Sequence, residues 1–337
     1  MTIKDIARLS GYGVGTVSRV LNNHPDVSET ARARIMAVIE QEGFEPNTNA
    51  KHLKMQTKSS PAILVKGSQN VLFADLLEQT QSILRDSGED AYVAYLDEDA
   101  DEVQYAVQLC RIRRPKGLIF LGGDMEHFRC EFSQLTVPCV LLTNSASVFD
   151  FPNLSSFTTD DTAASKEVIH YLHNYGHQSI GILGGNLSAE QISFKRLEGV
   201  RQAMIDCRLP FDQEQQYQPC RFSMQAGYEA AMQLLSRNPN LTAIFALSDV
   251  IALGAMRAIR DLGLRIPEDI SIVGYDDITA SRFSIPRLTT VHQNTTALAS
   301  QGSKALLEHL HYATEPVHEI IPFELCQRES VLNRLHV

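Results

Sequence analysis

Val14, Gly15, Thr16, Ser18 and Arg19 stand together in one short stretch whose side chains suit the reading of a nucleic acid. An arginine can grip guanine O6 and N7 bidentately. Thr16 and Ser18 suit a phosphate oxygen or the methyl group of thymine. A small helical domain with a few polar residues on an exposed helix would carry the same types without touching DNA, so the elements that present them decide the matter.

Other constellations are weaker. His170, His173 and His177 have a spacing that could place two imidazoles on one helical face with a third near its end, as in a zinc site. No cysteine or carboxylate is placed to complete it, and a surface helix carries histidines without metal. Gly11-Tyr12-Gly13-Val14-Gly15 is similar to a dinucleotide loop, but no strand precedes it and the sixth position is not glycine. Asp97-Glu98-Asp99 and Asp276-Asp277 are carboxylate clusters without a paired base, nucleophile or lid, and solvated loops account for them. No enzyme, metal or cofactor is therefore expected. Cysteines 110, 130, 139, 207, 220 and 326 form no CxxC pair, which fits reduced core thiols and a cytoplasmic location. No signal-peptide pattern opens the sequence and no apolar run approaches about 18 residues, so neither export nor membrane insertion is expected.

The elements around Arg19 are legible. Thr2-Ile3-Lys4-Asp5 fits a capping box that starts a helix at once, with Ile3, Ile6, Ala7 and Leu9 as its apolar face and Gly11 as its stop. Val14, Val17, Val20 and Leu21 give a second amphipathic helix, with Thr16, Ser18, Arg19, Asn22 and Asn23 between them. Two short helices joined by a tight glycine turn make a helix-turn-helix. Ser28 caps a third helix whose Ile35, Val38 and Ile39 close a small core, ending at Gly43 before Pro46. In such a module the second helix enters the major groove. Residues 1–58 hold 8 Lys and Arg against 6 Asp and Glu, whereas the rest holds 22 against 34. Only the head suits phosphate.

The remainder is long enough for two domains of about 100–150 residues each. Short apolar runs at 62–65, 92–96, 117–121, 137–142, 180–183, 243–247 and 270–273 alternate with amphipathic stretches such as 72–86, 162–175, 195–207, 226–236 and 250–262. That alternation predicts parallel sheets flanked by helices. Ligands of open sheets lie beyond the carboxyl ends of the strands, which singles out loops 67–73, 122–125, 143–145, 184–186, 248–249 and 275–276.

The run Thr2-Ile3-Lys4-Asp5-Ile6-Ala7, then Gly11, then Thr16-Val17-Ser18-Arg19-Val20-Leu21-Asn22, then Phe44, Pro46, Asn47 and Ala50 through Leu53 resembles the head of the lac repressor (LacI/GalR) family. The turn departs from it, carrying Tyr12-Gly13 where that family usually has Val-Ser. Stretches in the body are similar to the family's effector-domain signatures: Tyr175-Gly176-His177, Ala252-Leu253-Gly254-Ala255-Met256, Ile266-Pro267-Glu268-Asp269 through Tyr275-Asp276-Asp277, and Arg287-Leu288-Thr289-Thr290-Val291. The resemblance implies a helix-turn-helix head at 1–46 and a hinge helix and linker at 47–60. It further implies two periplasmic-binding-protein-like lobes, 61–160 with 291–321 and 161–290 with 322–337.

DNA contacts implied by the resemblance are Thr2, Lys4, Val14, Gly15, Thr16, Ser18, Arg19 and Asn22, with Ala50, Leu53 and Lys54 from the hinge. Leu53 matches a leucine wedged between base steps of the minor groove, an unstacking that costs a few kcal/mol and is offset by contacts on kinked DNA. A plain flexible linker would have the same polar composition. Effector contacts implied are Arg196, Asp276, the ring of Phe222, Phe73 on the other lobe, Ser248 and Thr143. Some members place aspartate at the position of Thr143, and its absence argues against a simple galactoside. Glu190 and Ile192 stand where others have a polar pair for a purine. From the residues alone, a structural ion pair of Arg196 and Asp276 is the favoured reading.

The expectation is a cytoplasmic, homodimeric transcriptional regulator. It would bind a palindromic duplex operator, as a repressor, under a small effector such as a sugar, and would have no membrane contact. A periplasmic solute-binding protein shares the two-lobe body but would need a signal peptide and no helix-turn-helix; a doubly wound enzyme would need a phosphate loop or an acid/base pair.

Overall fold

The computed structural model describes residues 3–21, 27–42, 60–67, 70–185, 187, 191–312 and 314–336. The chain divides into two compact units, Met1–Ser59 and Ser60–Val337.

Among the described residues the first unit holds three helices, α1 (Ile3–Ser10), α2 (Val14–Leu21) and α3 (Glu29–Gln41). Gly11 ends α1 at a φ of 80°, its N–H donating to the Ala7 carbonyl at 3.1 Å. The Gly13 carbonyl accepts from Thr16 and Val17 to open α2. The Ser28 hydroxyl accepts from the Ala31 amide and caps α3. Ile6, Ala7, Val17, Val20, Ile35 and Val38 form the buried core. Leu9, expected on the apolar face, is 43 % exposed, because the buried stripe of α1 runs through Ile6, Ala7 and Ser10 and Leu9 lies to one side of it. Thr2, Asn22, Gly43 and the whole hinge, with Ala50, Leu53 and Lys54, lie outside the described residues.

In the second unit strands and helices alternate. The first strands are β1 (Ala62–Lys66), β2 (Tyr92–Leu96), β3 (Leu118–Leu121), β4 (Cys139–Leu142) and β5 (Leu154–Thr159), interleaved with α4 (Val71–Asp86), α5 (Glu102–Arg113) and α6 (Met125–Glu131). Next come α7 (Asp161–Asn174), β6 (Ile180–Gly184), α8 (Ile192–Asp206), α9 (Gln213–Gln216), β7 (Tyr217–Pro219), α10 (Met224–Arg237), β8 (Ala243–Ala246), α11 (Asp249–Asp261), β9 (Ser271–Asp276) and β10 (Thr289–Gln293). Helix α12 (Thr295–His311) and strands β11 (His318–Ile321) and β12 (Phe323–Cys326) close the unit.

Two six-stranded sheets result, in the orders β11-β5-β4-β3-β1-β2 and β12-β10-β9-β8-β6-β7. Every pairing is parallel except β10 with β12. Strands such as β1, β3, β4, β6 and β8 read as continuous apolar runs because helices cover both faces of each sheet. Alternate residues feed opposite faces: Ala62 and Leu64 join one core cluster, Ile63 and Val65 the other.

The chain leaves the first sheet after β5, returns to its helices after β10, and crosses again between β11 and β12. The expected boundary at 290/291 falls inside β10. That strand stays in the second sheet through Gln293, since His292 pairs with Asp276 and Gln293 with Phe323, so the passage lies at Asn294. Strand β5 was absent from the expected runs: four of the six residues in its Leu-Ser-Ser-Phe-Thr-Thr sequence carry hydroxyls, yet it is wholly buried. No described helix is long and apolar enough to cross a membrane.

Candidate functional site

In each sheet the strand order reverses once, between β1 and β3 in the first and between β6 and β8 in the second. A reversal splays the loops that follow the two strands and leaves a crevice at their carboxyl ends. Both crevices open on one cavity of about 320 Å³. Lys66 ends β1 and Gly67 follows it, Gly122 and Gly123 follow β3, and Ser193 and Arg196 lie on α8, all lining it. Phe73, Thr143, Arg196, Phe222 and Asp276 all line this cavity, and Ser248 lies directly behind Asp276.

Arg196 is 3 % exposed. Its Nε donates to Asp161 Oδ1 at 2.8 Å, another nitrogen reaches the Leu247 carbonyl, and the guanidinium stacks 3.6 Å from the Tyr275 ring centroid. Tyr275 in turn donates its hydroxyl to Asp161 at 2.9 Å. The structural partner of Arg196 is thus Asp161, not Asp276. Burial opposes the guanidinium charge, but Asp161, Tyr275 and Asp276 more than restore it, so its pKa lies above the ordinary value.

Asp276 is also 3 % exposed, and its two oxygens accept from Ser248 Oγ and Gln293 Nε2, each at 2.7 Å. Burial pushes this carboxyl up to about 6, against the charge of Arg196 and the two hydrogen bonds. One lone pair on each oxygen remains for a ligand hydroxyl or amine. Thr143 and Asp276 hold φ values of 73° and 120°, backbone states that cost roughly 1–3 kcal/mol each and concentrate at ligand clamps.

Two phenyl rings enter from opposite lobes. A side chain at Gly122 would meet the Phe73 ring at 2.8 Å, and one at Gly185 would meet the Phe222 ring at 2.8 Å. Both loops are therefore glycine where a ring must pass close to backbone. Apolar faces of this kind suit the hydrophobic surface of a sugar ring, while the carboxylate takes its hydroxyls.

Sequence reasoning missed the wall formed by the first lobe. Buried Glu102 binds Lys66 Nζ at 2.5 Å and His127 Nδ1 at 3.0 Å through Oε2, and accepts the Asp124 amide at 2.6 Å through Oε1. Lys66, Asp124 and His127 line the cavity. The contributing elements are far apart in sequence, so no spacing announces the cluster. Among the described residues Asp101, Glu102 and His127 also lie close enough to share a metal, and the Lys66 ammonium stands 2.5 Å from Glu102 and 3.5 Å from His127 beside them.

The acidic run 97–99, expected as a solvated loop, forms contacts across the cleft mouth. Arg221 lies 2.6 Å from Asp97, 3.4 Å from Asp99 and 3.6 Å from Glu98. The Phe222 amide donates to Glu98 at 3.2 Å. Gln191 reaches Asp124 and Lys195 reaches Asn144 across the same gap. Asp277 is likewise no solvated carboxylate. Burial disfavours its charge most, yet His292, Arg282 and Arg328 outweigh that and hold it far below the usual range. Of the three histidines, His177 is fully buried between Thr242 and the Leu332 carbonyl, and His170 sits 3.7 Å from Asp206.

On α2 of the head, Val17 and Val20 point into the core, while Val14, Gly15 and Arg19 are exposed and Thr16 and Ser18 half-buried. A side chain added at Gly15 would meet nothing within 4 Å. Lys4 falls on α1, and its side chain lies outside the described residues, as does Glu190.

Comparison with known proteins gives the same division. A family described as bacterial regulatory proteins, lacI family, matches residues 2–47, and a periplasmic binding protein-like domain matches residues 169–331. The transcriptional regulator MalR of Clostridium butyricum is 33 % identical over 99 % of this chain and 100 % of its own length. The transcriptional repressor PurR of Haemophilus influenzae is 31 % identical over 98 % of both. Among solved structures, a lac repressor dimer bound to operator and the anti-inducer ONPF matches with a TM-score of 0.72 and 26 % identity, covering 98 % of this chain and 99 % of that one. A CelR–cellobiose complex matches at 0.70 and 26 %, over the same shares. Full-length relatives above 30 % identity, a helix-turn-helix head and a two-lobed body with a ligand-sized cleft lead to one conclusion: the chain belongs to the lacI family of bacterial regulatory proteins.

Proposed function

We propose that the protein is a cytoplasmic repressor that binds a palindromic operator as a homodimer, with affinity set by a sugar in the cleft. The single observation that carries this reading is the gathering of the Asp276 carboxylate and the rings of Phe73 and Phe222 on the lining of one cavity. Operator contact falls to Val14, Gly15, Thr16, Ser18 and Arg19, with Thr2, Lys4 and Asn22 beside them, and the hinge residues Ala50, Leu53 and Lys54 enter the minor groove. Residues 1–46 form the head, 47–60 the hinge and linker, and the two sheets with their helices the effector lobes. The relatives' regulatory roles support a non-enzymatic function.

Coupling follows from linkage. A ligand that prefers one lobe arrangement shifts the population competent to bind operator, by no more than its differential affinity for the two states. The test is a reciprocal dissection. Arg19→Ala should lose operator binding and keep sugar binding, whereas Asp276→Ala should lose sugar binding and keep the operator. Loss of both functions in either folded variant would refute the division of labour.

A further inference from the structure

The charges of the cleft are arranged in a way that defines its ligand further. Two cations line it, Lys66 on the first lobe and Arg196 on the second. Each is paired with a carboxylate behind the lining: Lys66 with Glu102 and Arg196 with Asp161. Glu102 also holds the His127 imidazole, and Asp101 stands 3.9 Å from the same nitrogen. The Asp124 amide, the donor at the start of α6 that would otherwise face an incoming anion, is already given to Glu102. The remaining charged groups on the lining, Glu98, Asp99, Asp124 and Asp276, are all acidic. A phosphate or carboxylate arriving here would find its natural donors engaged and a surplus of negative charge, and would lose its hydration without replacement. A neutral polyol meets the opposite situation, since carboxylates are hydrogen-bond acceptors in search of hydroxyl protons.

We propose that Glu102 is a specificity-determining residue that cancels the cationic wall of the cleft, so that the cleft selects uncharged polyhydroxyl ligands and rejects sugar phosphates and sugar acids. This rests on the cleft being the effector site. Glu102 touches no ligand itself. It acts by occupying Lys66, His127 and the Asp124 amide together.

The experiment uses inorganic phosphate as probe, read as a saturable rise in melting temperature of the full chain at constant ionic strength. The parent should be indifferent. Glu102→Gln keeps an acceptor for the Asp124 amide but frees Lys66 and His127, and should bind phosphate about tenfold or more tightly than the parent. Adding Lys66→Met should abolish that gain. Saturable stabilisation of the parent by phosphate would overturn the proposal, and so would a folded Glu102→Gln variant that stays indifferent. Should that variant fail to fold, Glu102→Met takes its place: it removes the same charge with a side chain of similar length and frees Lys66, His127 and the Asp124 amide together. It should gain phosphate binding too, and indifference there overturns the proposal. The phosphate readout needs no effector, so failure of the effector reading shows separately, as neutral sugars without effect on a cleft whose phosphate response still follows Glu102.

Discussion

Arg196 faces the ligand cavity, yet its contacts make it a structural hub, and truncating it should destabilise the body before any ligand is considered. Arg196→Ala removes the Nε bond to Asp161, the bond to Leu247 and the stack on Tyr275. It strands a buried carboxylate that keeps the Tyr275 hydroxyl as a donor. Breaking a buried pair from one side costs about 3–5 kcal/mol, against a total stability of about 5–15. At roughly 2–4 °C per kcal/mol for a unit of this size, the ligand-free melting temperature should fall by on the order of 10 °C. The assay is calorimetry of the parent, Arg196→Ala, and Arg196→Met combined with Asp161→Asn. The double variant replaces the ion pair by neutral groups of similar volume and should recover most of the loss, because a stranded charge, not a missing contact, dominates the cost. An Arg196→Ala melting temperature within about 2 °C of the parent, or a double variant no better than the single, would refute the assignment.

Three further outcomes follow from the same geometry. Burial holds the Asp276 carboxyl near 6, and ligand hydroxyls donate more strongly to its charged form, so effector affinity should fall by up to about tenfold per unit as pH drops below 6. Asp276→Asn should flatten that profile in titration calorimetry, and an unchanged profile would exclude Asp276 as the titrating group. Burial, helped by the charge of Arg334, lowers His177 to about 4 against the bond to Leu332. The unfolded chain then takes up a proton between about 6.5 and 4 that the folded chain refuses. Stability should fall through that window by on the order of 3 kcal/mol, and His177→Gln should remove this part of the slope in denaturant titrations. The contacts of Arg221 with Asp97, Glu98 and Asp99 are exposed and therefore weak and screened. Raising salt from about 0.05 to 0.5 M should increase the radius of gyration in X-ray scattering, and Arg221→Gln should be expanded already and indifferent to salt.

How much of this was legible depends on where each signal is stored. Strands buried on both faces announce themselves as unbroken apolar runs, which is why β1, β3, β4, β6, β8 and β9 were readable. Strand β5 was not, because the tertiary structure satisfies its hydroxyls: Ser155 accepts from the Val317 amide and Ser156 from the Ala146 amide. The loops at strand ends were readable, but the order of strands was not, and the two reversals that create the cavity follow from that order. Resemblance pointed to the cavity residues Phe73, Thr143, Arg196, Phe222 and Asp276. It gave no partner for Arg196, since Asp161 lies 35 positions away on another helix. Charge runs misled for a physical reason: whether acidic neighbours are solvated depends on which cation the fold brings to them, and Arg221 and Arg328 arrive from distant segments. On the head, the polar set around Arg19 and the cap at Ser28 were local signals and needed no tertiary knowledge.

The central claim is that a small ligand in the cleft controls operator binding by the head. Its most direct measurement is footprinting of the full-length protein on genomic DNA, with and without a panel of neutral sugars, repeated with Asp276→Ala. The account predicts a palindromic footprint with two half-sites, whose midpoint concentration shifts about tenfold with one sugar for the parent and not at all for the variant. A single asymmetric half-site, or a sugar response that survives Asp276→Ala undiminished, would contradict it.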